Sequence, residues 1–363
     1  MSQEITIIGA GIIGLVTAFE LTERGKTVRL IDADTSDYST APDGTPLYPA
    51  ASHYAGGMLA PIAEVQFQQD ALFPLMTASA DAYPSLMERL SRATDLPTGY
   101  DTTGTLIVAA DRADAEHLER TRTYYQDLNR PTSPITPSQA RALEPLLAPR
   151  IAGAVSIPSD HQLYPRLMVR ALKDALVRRG VTFSTERVTD PDAGDIICTG
   201  LGATLLHGEY PLRPVYGDIL RLRTPRPLLK HVVRGYVNSR PVYLIPRPDG
   251  ELCIGATSRE DQRTLPAIDG VHQLLRDAIR LVPAIEECEL LEANVGARPG
   301  TPDDLPIFGY RTRADGTRQL VSTGYFRHGI LLAALAGKIG AEVACGADIP
   351  LVMAACDPAR FEA

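Results

Sequence analysis

The stretch that decides the fold is Ile5-Thr6-Ile7-Ile8-Gly9-Ala10-Gly11-Ile12-Ile13-Gly14, with Asp32 closing the next apolar run. The first four residues read as a buried parallel strand. Gly9, Gly11 and Gly14 make a tight turn and let the backbone approach a pyrophosphate. A helix from about Ile12 to Arg24 points its first N–H groups at that anion, and Ile12 and Ile13 sit at its mouth. Thr27-Val28-Arg29-Leu30-Ile31 is the second strand, and Asp32 is placed to accept from ribose hydroxyls. A lone glycine trio is weak evidence. Strand, glycines, helix, strand and acid in this order point to an adenine dinucleotide.

Bulk composition narrows the classes. The chain has 363 residues, too many for one ordinary core, so two domains are expected. The apolar fraction of 44% and charged fraction of 22% are those of a soluble globular protein. The net charge of −8, with no basic block, argues against nucleic acid as partner. Cys198, Cys253, Cys288, Cys345 and Cys356 have no metal-ligand spacing and suit a reducing cytoplasm, so no metal is expected and the thiols should pack as small hydrophobes. The first strand begins within a few residues of Met1, so no signal peptide is expected, and the expected location is cytoplasmic. Gly329 to Cys345 is the most apolar late stretch. Lys338 and Glu342 interrupt it, so it reads as a buried helix rather than a membrane span.

Along the chain, Ser36 to Pro49 is a polar, Pro- and Gly-containing loop. Gly56-Gly57 before Met58-Leu59 marks a close backbone approach. Helical segments are expected through Leu90, over Arg112–Leu128, Tyr164–Arg179 and Val271–Leu281. Strands are expected at Thr105–Ala109, Val181–Phe183, Val215–Arg223, Pro241–Pro246, Glu251–Ala256 and Gln319–Ser322. Pro248-Asp249-Gly250 is the turn of a hairpin. Asp195 to Ala203 reads as a strand ending in glycines, a return to the nucleotide domain after an excursion. The expected architecture is a discontinuous α/β Rossmann-like domain (residues 1–85, 145–210 and 290–363) with an inserted α+β domain (86–144 and 211–289) built on a mostly antiparallel sheet.

Five blocks in order resemble the FAD-dependent D-amino acid oxidase superfamily, and most of all the glycine oxidases of thiamine biosynthesis. They are Gly9–Gly14, Gly56–Leu59, Asp195–Ala203, Arg298-Pro299-Gly300-Thr301-Pro302-Asp303-Asp304-Leu305-Pro306, and Phe326-Arg327-His328-Gly329-Ile330-Leu331-Leu332-Ala333. The resemblance runs nearly the whole length. It departs at His328, where relatives commonly carry Asn, at Asn294, where they often carry Trp, and at Ser258, where a larger residue is common. The stretch between Phe183 and Asp195 also looks shortened.

The resemblance implies noncovalent FAD as cofactor, since no cysteine lies near Arg298 or in the Gly56 loop. It implies oxidation of glycine, a small D-amino acid or a secondary amine, with O₂ as electron acceptor. A homo-oligomer stays open. Arg298 is the leading carboxylate anchor, because guanidinium offers two parallel donors; Pro299 and Gly300 then belong to a turn by the flavin. Tyr243 is expected to reach the same carboxylate through its hydroxyl. Arg327 precedes the final helix, whose N–H groups face the flavin's pyrimidine oxygen. Gly57, Met58, Val188, Gly200, Gly202, Phe326, His328, Gly329 and Ile330 complete the expected cofactor contacts. His53 is expected to be structural. The loss of bulk at Asn294 and Ser258 suggests a roomier, more polar substrate pocket. Two other readings stand beside the oxidase: a dehydrogenase passing electrons to an acceptor other than oxygen, and a flavin-binding module without turnover.

Overall fold

Apolar runs in one set of strands and apolar alternation in another build two sheets with a cavity between them. The computed structural model describes residues 4–33, 50–67, 69–127, 132–207, 210–261 and 263–361. The Ser36–Pro49 loop read from the sequence lies outside them.

The first sheet has six strands in the order Ile307–Thr312, Arg318–Thr323, Ile196–Ile197, Ile5–Ile8, Val28–Asp32, Thr182–Thr185. Every neighbouring pair is parallel except the first. Helices Ile12–Glu23, Pro165–Arg178 and Gly329–Ala344 supply the core beside it. The Gly329–Ala344 segment is the buried helix expected from its composition. Among the described residues no helix is long and apolar enough to cross a membrane.

The second sheet has eight strands in the order Glu289–Gly300, Arg213–Arg223, Glu251–Gly255, Arg240–Pro246, Val232–Val237, Thr105–Ala109, Gly153–Ile157, Ser133–Ile135. Its pairs are antiparallel except Val232–Val237 with Thr105–Ala109. Period-two alternation gives it two faces. Val242 and Leu244 pack under helix Ile268–Leu281 with Leu220, Ile254 and Leu274, whereas Tyr243 and Ile245 point the other way with Ile219 and Val232. That second face is the floor of the cavity.

Two strands fall on the other side of the boundaries read from the sequence. Gly153–Ile157 and nearly all of Glu289–Gly300 lie within segments assigned to the nucleotide domain, yet both pair into the eight-stranded sheet. Pro299 and Gly300 are correspondingly strand residues rather than a turn. Glu289–Gly300 is an edge strand, where proline costs no interior ladder bond. The Asp195–Ala203 block contains only a two-residue strand, Ile196–Ile197, and Gly202 already opens a short helix, Gly202–His207. Cys198, Cys253 and Cys356 are buried as expected, but Cys345 is exposed.

Candidate active site

A cavity of about 1070 Å³ lies between the C-terminal ends of the parallel strands and the floor of the second sheet. Its volume reaches the upper range for enclosed small-molecule sites. It is lined by Gly9, Gly11, Ile12, Ile13, Asp32, Gly57, Met58, Val188, Gly200 and Gly202, and by Tyr243, Arg298, Phe326, Arg327, Gly329 and Ile330. Of the residues expected to bind the carboxylate or the cofactor, Gly14 and His328 lie behind the wall.

The fingerprint end is made of backbone. Gly9 sits at φ 105°, and a Cβ there would lie 2.5 Å from the Cys198 carbonyl oxygen. A Cβ on Gly14 would lie 1.9 Å from the Gly9 carbonyl oxygen. These two glycines are required by the turn itself. Gly11 is different: the nearest atom to its missing Cβ is Ser52 Oγ at 3.7 Å, so the chain leaves this position open toward the cavity. The Ala10 N–H donates to Asp32 Oδ2 at 2.5 Å, which ties the turn to the acid on the next strand. Helices Ile12–Glu23 and Gly329–Ala344 both begin at the wall, where their first N–H groups have no intrahelical partner. Thr199, also on the wall, keeps a buried hydroxyl with no partner among the described residues. An open Gly11, two helix N-termini and an acid on the second strand fit a dinucleotide. Cys198 is the cysteine on the wall. It lies at the fingerprint end, and burial pushes its thiol up to about 12, so it is a poor nucleophile for attaching a cofactor.

The other end is made of side chains from the sheet. Register places Arg234 opposite Tyr243, Tyr243 opposite Gly255, Gly255 opposite Ile219, and Ile219 opposite Asn294, in one row across five strands. A Cβ on Gly255 would lie 2.3 Å from the Tyr243 hydroxyl, and one on Gly217 would lie 2.3 Å from Arg298 Nη2. Glycine at these two positions lets phenol and guanidinium lie across the sheet. Arg298 Nη1 and Nη2 each donate to the Thr257 carbonyl at 3.3 Å. Burial, and then the charge of Arg327, hold the Arg298 guanidinium below its usual value. Burial pushes the Tyr243 phenol up, so its hydroxyl remains a donor. Arg327 reaches the wall from the single 3₁₀ turn Phe326–His328 that precedes the final helix.

Two of the wall residues that escape sequence reasoning carry opposite charges. Glu64 and Arg234, 8% and 5% exposed, form an ion pair with Arg234 Nη1 donating to Glu64 Oε1 at 2.7 Å. Each is the charge inside an apolar run, Met58-Leu59-Ala60-Pro61-Ile62-Ala63-Glu64-Val65 and Val232-Val233-Arg234-Gly235-Tyr236-Val237. A lone charge in such a run is the available signal, since buried charges require partners. Ser52 also went unread: its Oγ accepts from the Ile12 N–H at 3.1 Å.

Several side chains hold the two ends together. Arg166 donates to both oxygens of Glu292 at 2.8 and 2.7 Å, and Asn294 Nδ2 donates to Glu292 Oε2 at 2.6 Å. Arg166 and the fully buried Arg221 also donate to the His53 carbonyl, fixing the helix Ala51–Tyr54 that carries Ser52. Burial, then Arg166 and Arg221, push His53 down to about 4. His328 is buried and neutral: burial brings it down to about 4, and its Nδ1 has no partner among the described residues. Asn294 and Ser258 both line the cavity, but Asn294 is tethered to Glu292 and Ser258 is exposed.

Fold and site together define a flavin-dependent redox enzyme, and comparison with known proteins agrees. The family model described as DAO, FAD dependent oxidoreductase, matches residues 4–343, so the chain belongs to that family and FAD is its cofactor. It is 30% identical to the glycine oxidase of Geobacillus kaustophilus, over 94% of this chain and 92% of that protein. It is 29% identical to the bifunctional protein ThiO/ThiG of Trichormus variabilis, over 94% of this chain but 52% of the relative, so it spans about half that protein's length. The crystal structure of the glycine oxidase from Geobacillus kaustophilus superposes with a TM-score of 0.85 at 28% identity, covering 99% of both chains.

Proposed function

We propose that this protein oxidises glycine or another small amino acid at the bond between nitrogen and the α-carbon, giving an imine and, with O₂, H₂O₂. The observation that supports it is the meeting of Arg298 and Tyr243 in the cavity that the fingerprint glycines open. Bound FAD supplies the two-electron acceptor. Gly9, Gly11 and the start of helix Ile12–Glu23 would hold its pyrophosphate, and Gly329–Ile330 would face its ring. The chain's own residues then have three tasks. Arg298 holds a carboxylate by paired donors, and the Tyr243 hydroxyl adds a neutral donor to the same group. This fixes the α-carbon in one orientation, which converts a bimolecular encounter into a positioned one. Arg327 adds positive charge where negative charge grows during electron transfer.

The name of the glycine oxidase relative favours glycine as substrate, and that of a Rhizobium etli relative, putative thiamine biosynthesis oxidoreductase ThiO, supports a place for the imine in thiamine biosynthesis, at the thiazole that the sequence resemblance implies. The test is to add glycine, sarcosine, D-alanine, D-proline and L-alanine to the FAD-loaded protein and follow H₂O₂. Release of H₂O₂ with glycine or a small D-amino acid is expected. Bleaching of the flavin without H₂O₂ would move the protein to the dehydrogenases, and no bleaching with any amine would leave a flavin-binding module.

A further inference from the structure

The oxidase reading uses two cations, Arg298 and Arg327, and one phenol, and leaves the carboxylate of Glu64 without a task. Glu64 ends the helix Pro61–Glu64, which is itself pinned from below. The Ile62 and Ala63 N–H groups donate to the buried Asp160 at 3.3 and 2.6 Å. Arg234 engages Oε1 alone, and no donor reaches Oε2 among the described residues. A fully buried carboxylate oxygen without a donor would be costly, but Oε2 is not a fully buried atom, and Glu64 lines the cavity. Strand order puts the Glu64–Arg234 pair on one side of Tyr243 and Arg298 on the other. The charge of Glu64 is close enough to act on both Tyr243 and Arg298.

A site with a guanidinium at one end and an open carboxylate oxygen at the other complements a zwitterion. We propose that Glu64 Oε2 receives the substrate's ammonium group and is the residue that makes the cavity select amino acids over 2-hydroxy acids of the same shape. This rests on the oxidase reading. Arg298 and Tyr243 see only the carboxylate, which glycine and glycolate share. The nitrogen differs: an ammonium donates three hydrogen bonds and carries charge, whereas a hydroxyl donates one and carries none. A buried anion therefore separates the two substrates far more than pocket shape does. Arg234 is the positioning partner that holds Oε1, so that Oε2 faces the cavity in one orientation.

The experiment compares glycine and glycolate on the FAD-loaded wild type, Glu64→Gln and Glu64→Asp. Glycine is read as kcat/KM, and glycolate as the dissociation constant from the change it causes in the flavin absorbance. For Glu64→Gln, glycine kcat/KM should fall on the order of 10- to 100-fold, while glycolate binds within about threefold of wild type or tighter. Should the amide leave Arg234 unpaired and the protein unfolded, Glu64→Asp keeps the charge but draws it back by a methylene. It should lose glycine turnover selectively, by a smaller factor. Equal weakening of glycine and glycolate in the folded variant would show a purely structural role, and unchanged glycine kinetics would show that the ammonium docks elsewhere; either overturns the proposal. Failure of the oxidase reading is visible separately, as a wild type that binds glycolate but turns over no amine.

Discussion

The two ends of the cavity are built in opposite ways. The fingerprint end is backbone: turn glycines, helix N-termini and one acid, nearly all within the first βαβ unit. The sheet end is side chains from five separate segments: strand register brings Tyr243, Arg298 and Arg234 together, while Glu64 comes from the helix Pro61–Glu64 and Arg327 from the turn Phe326–His328. A backbone site depends on the absence of side chains, so it fails when atoms are added. A side-chain site depends on charges held at fixed spacing, so it fails when atoms are removed and degrades by degrees. The comparison also separates retention of the cofactor from selection of the substrate.

The sharpest way to break the contrast is at Gly11. Replacing it with a bulky residue such as Leu should abolish FAD retention while the protein still folds, because the new side chain enters the cavity rather than the chain. Gly14→Ala should instead lower the melting temperature, because its methyl meets the Gly9 carbonyl. Flavin absorbance after gel filtration, with thermal unfolding alongside, distinguishes the two. Full FAD occupancy in Gly11→Leu would remove the pyrophosphate from this turn.

At the sheet end the losses should be graded. Arg298→Ala should keep FAD but lower kcat/KM for glycine on the order of 10²-fold, as expected for losing about 3 kcal/mol of charged, paired hydrogen bonding. Arg298→Lys should recover part of this, since a point charge lacks the fork. Near-normal kinetics in the alanine variant would shift the anchor to Arg327.

His328 tests what lies behind the wall. Its folded value of about 4 is below the ordinary 6.5, so the unfolded chain binds more protons between these pH values. Stability from this group is complete above pH 6.5 and is lost as pH falls toward 4, by about 3 kcal/mol at most. His328→Asn should therefore flatten the loss of stability between pH 7.5 and 4.5, measured by urea unfolding. An unchanged pH dependence would place the acid sensitivity at the other histidines that burial holds below their ordinary value, His53 or His161.

The smallest expected effect concerns pocket room. With Asn294 and Ser258 on the wall, at positions where the resemblance implies larger groups, D-alanine should be turned over within a few-fold of glycine, while L-alanine is poor because the carboxylate anchor leaves side-chain space on one side only. A missing large side chain shifts discrimination by roughly 1–3 kcal/mol. Steady-state kinetics on the three substrates check this. Strict glycine specificity would show that other residues close the pocket, and a preference for L-alanine would reverse the orientation drawn here.

How much of the molecule is legible in its sequence follows the same division. The fingerprint is local, because a turn of a few residues and the helix after it need only near neighbours in the chain. The strand carrying Tyr243 was legible next to a Pro-Asp-Gly hairpin, but its place at the site was legible only through the family resemblance. Around Arg298 the Pro-Gly pair reads as a turn, and only its place on a sheet edge, with Pro299 opposite Pro214, makes it a strand. The strand Val232–Val237 was missed because Arg234-Gly235 interrupts its apolar pattern.

By itself the sequence determined the adenine-dinucleotide class of cofactor and the parallel nucleotide-binding unit, and it offered Arg298 as the guanidinium to expect at a carboxylate. Each of these rests on interactions among residues close in the chain, or on chemistry that one side chain carries alone. Tertiary structure alone decided that Glu64 and Arg234, 170 residues apart, form a buried pair on the wall of the site, and that Tyr243 and Arg298 share it with them. A buried charge is tolerable only with its partner, and which partner arrives is set by strand order and register, quantities that no local stretch of chain encodes.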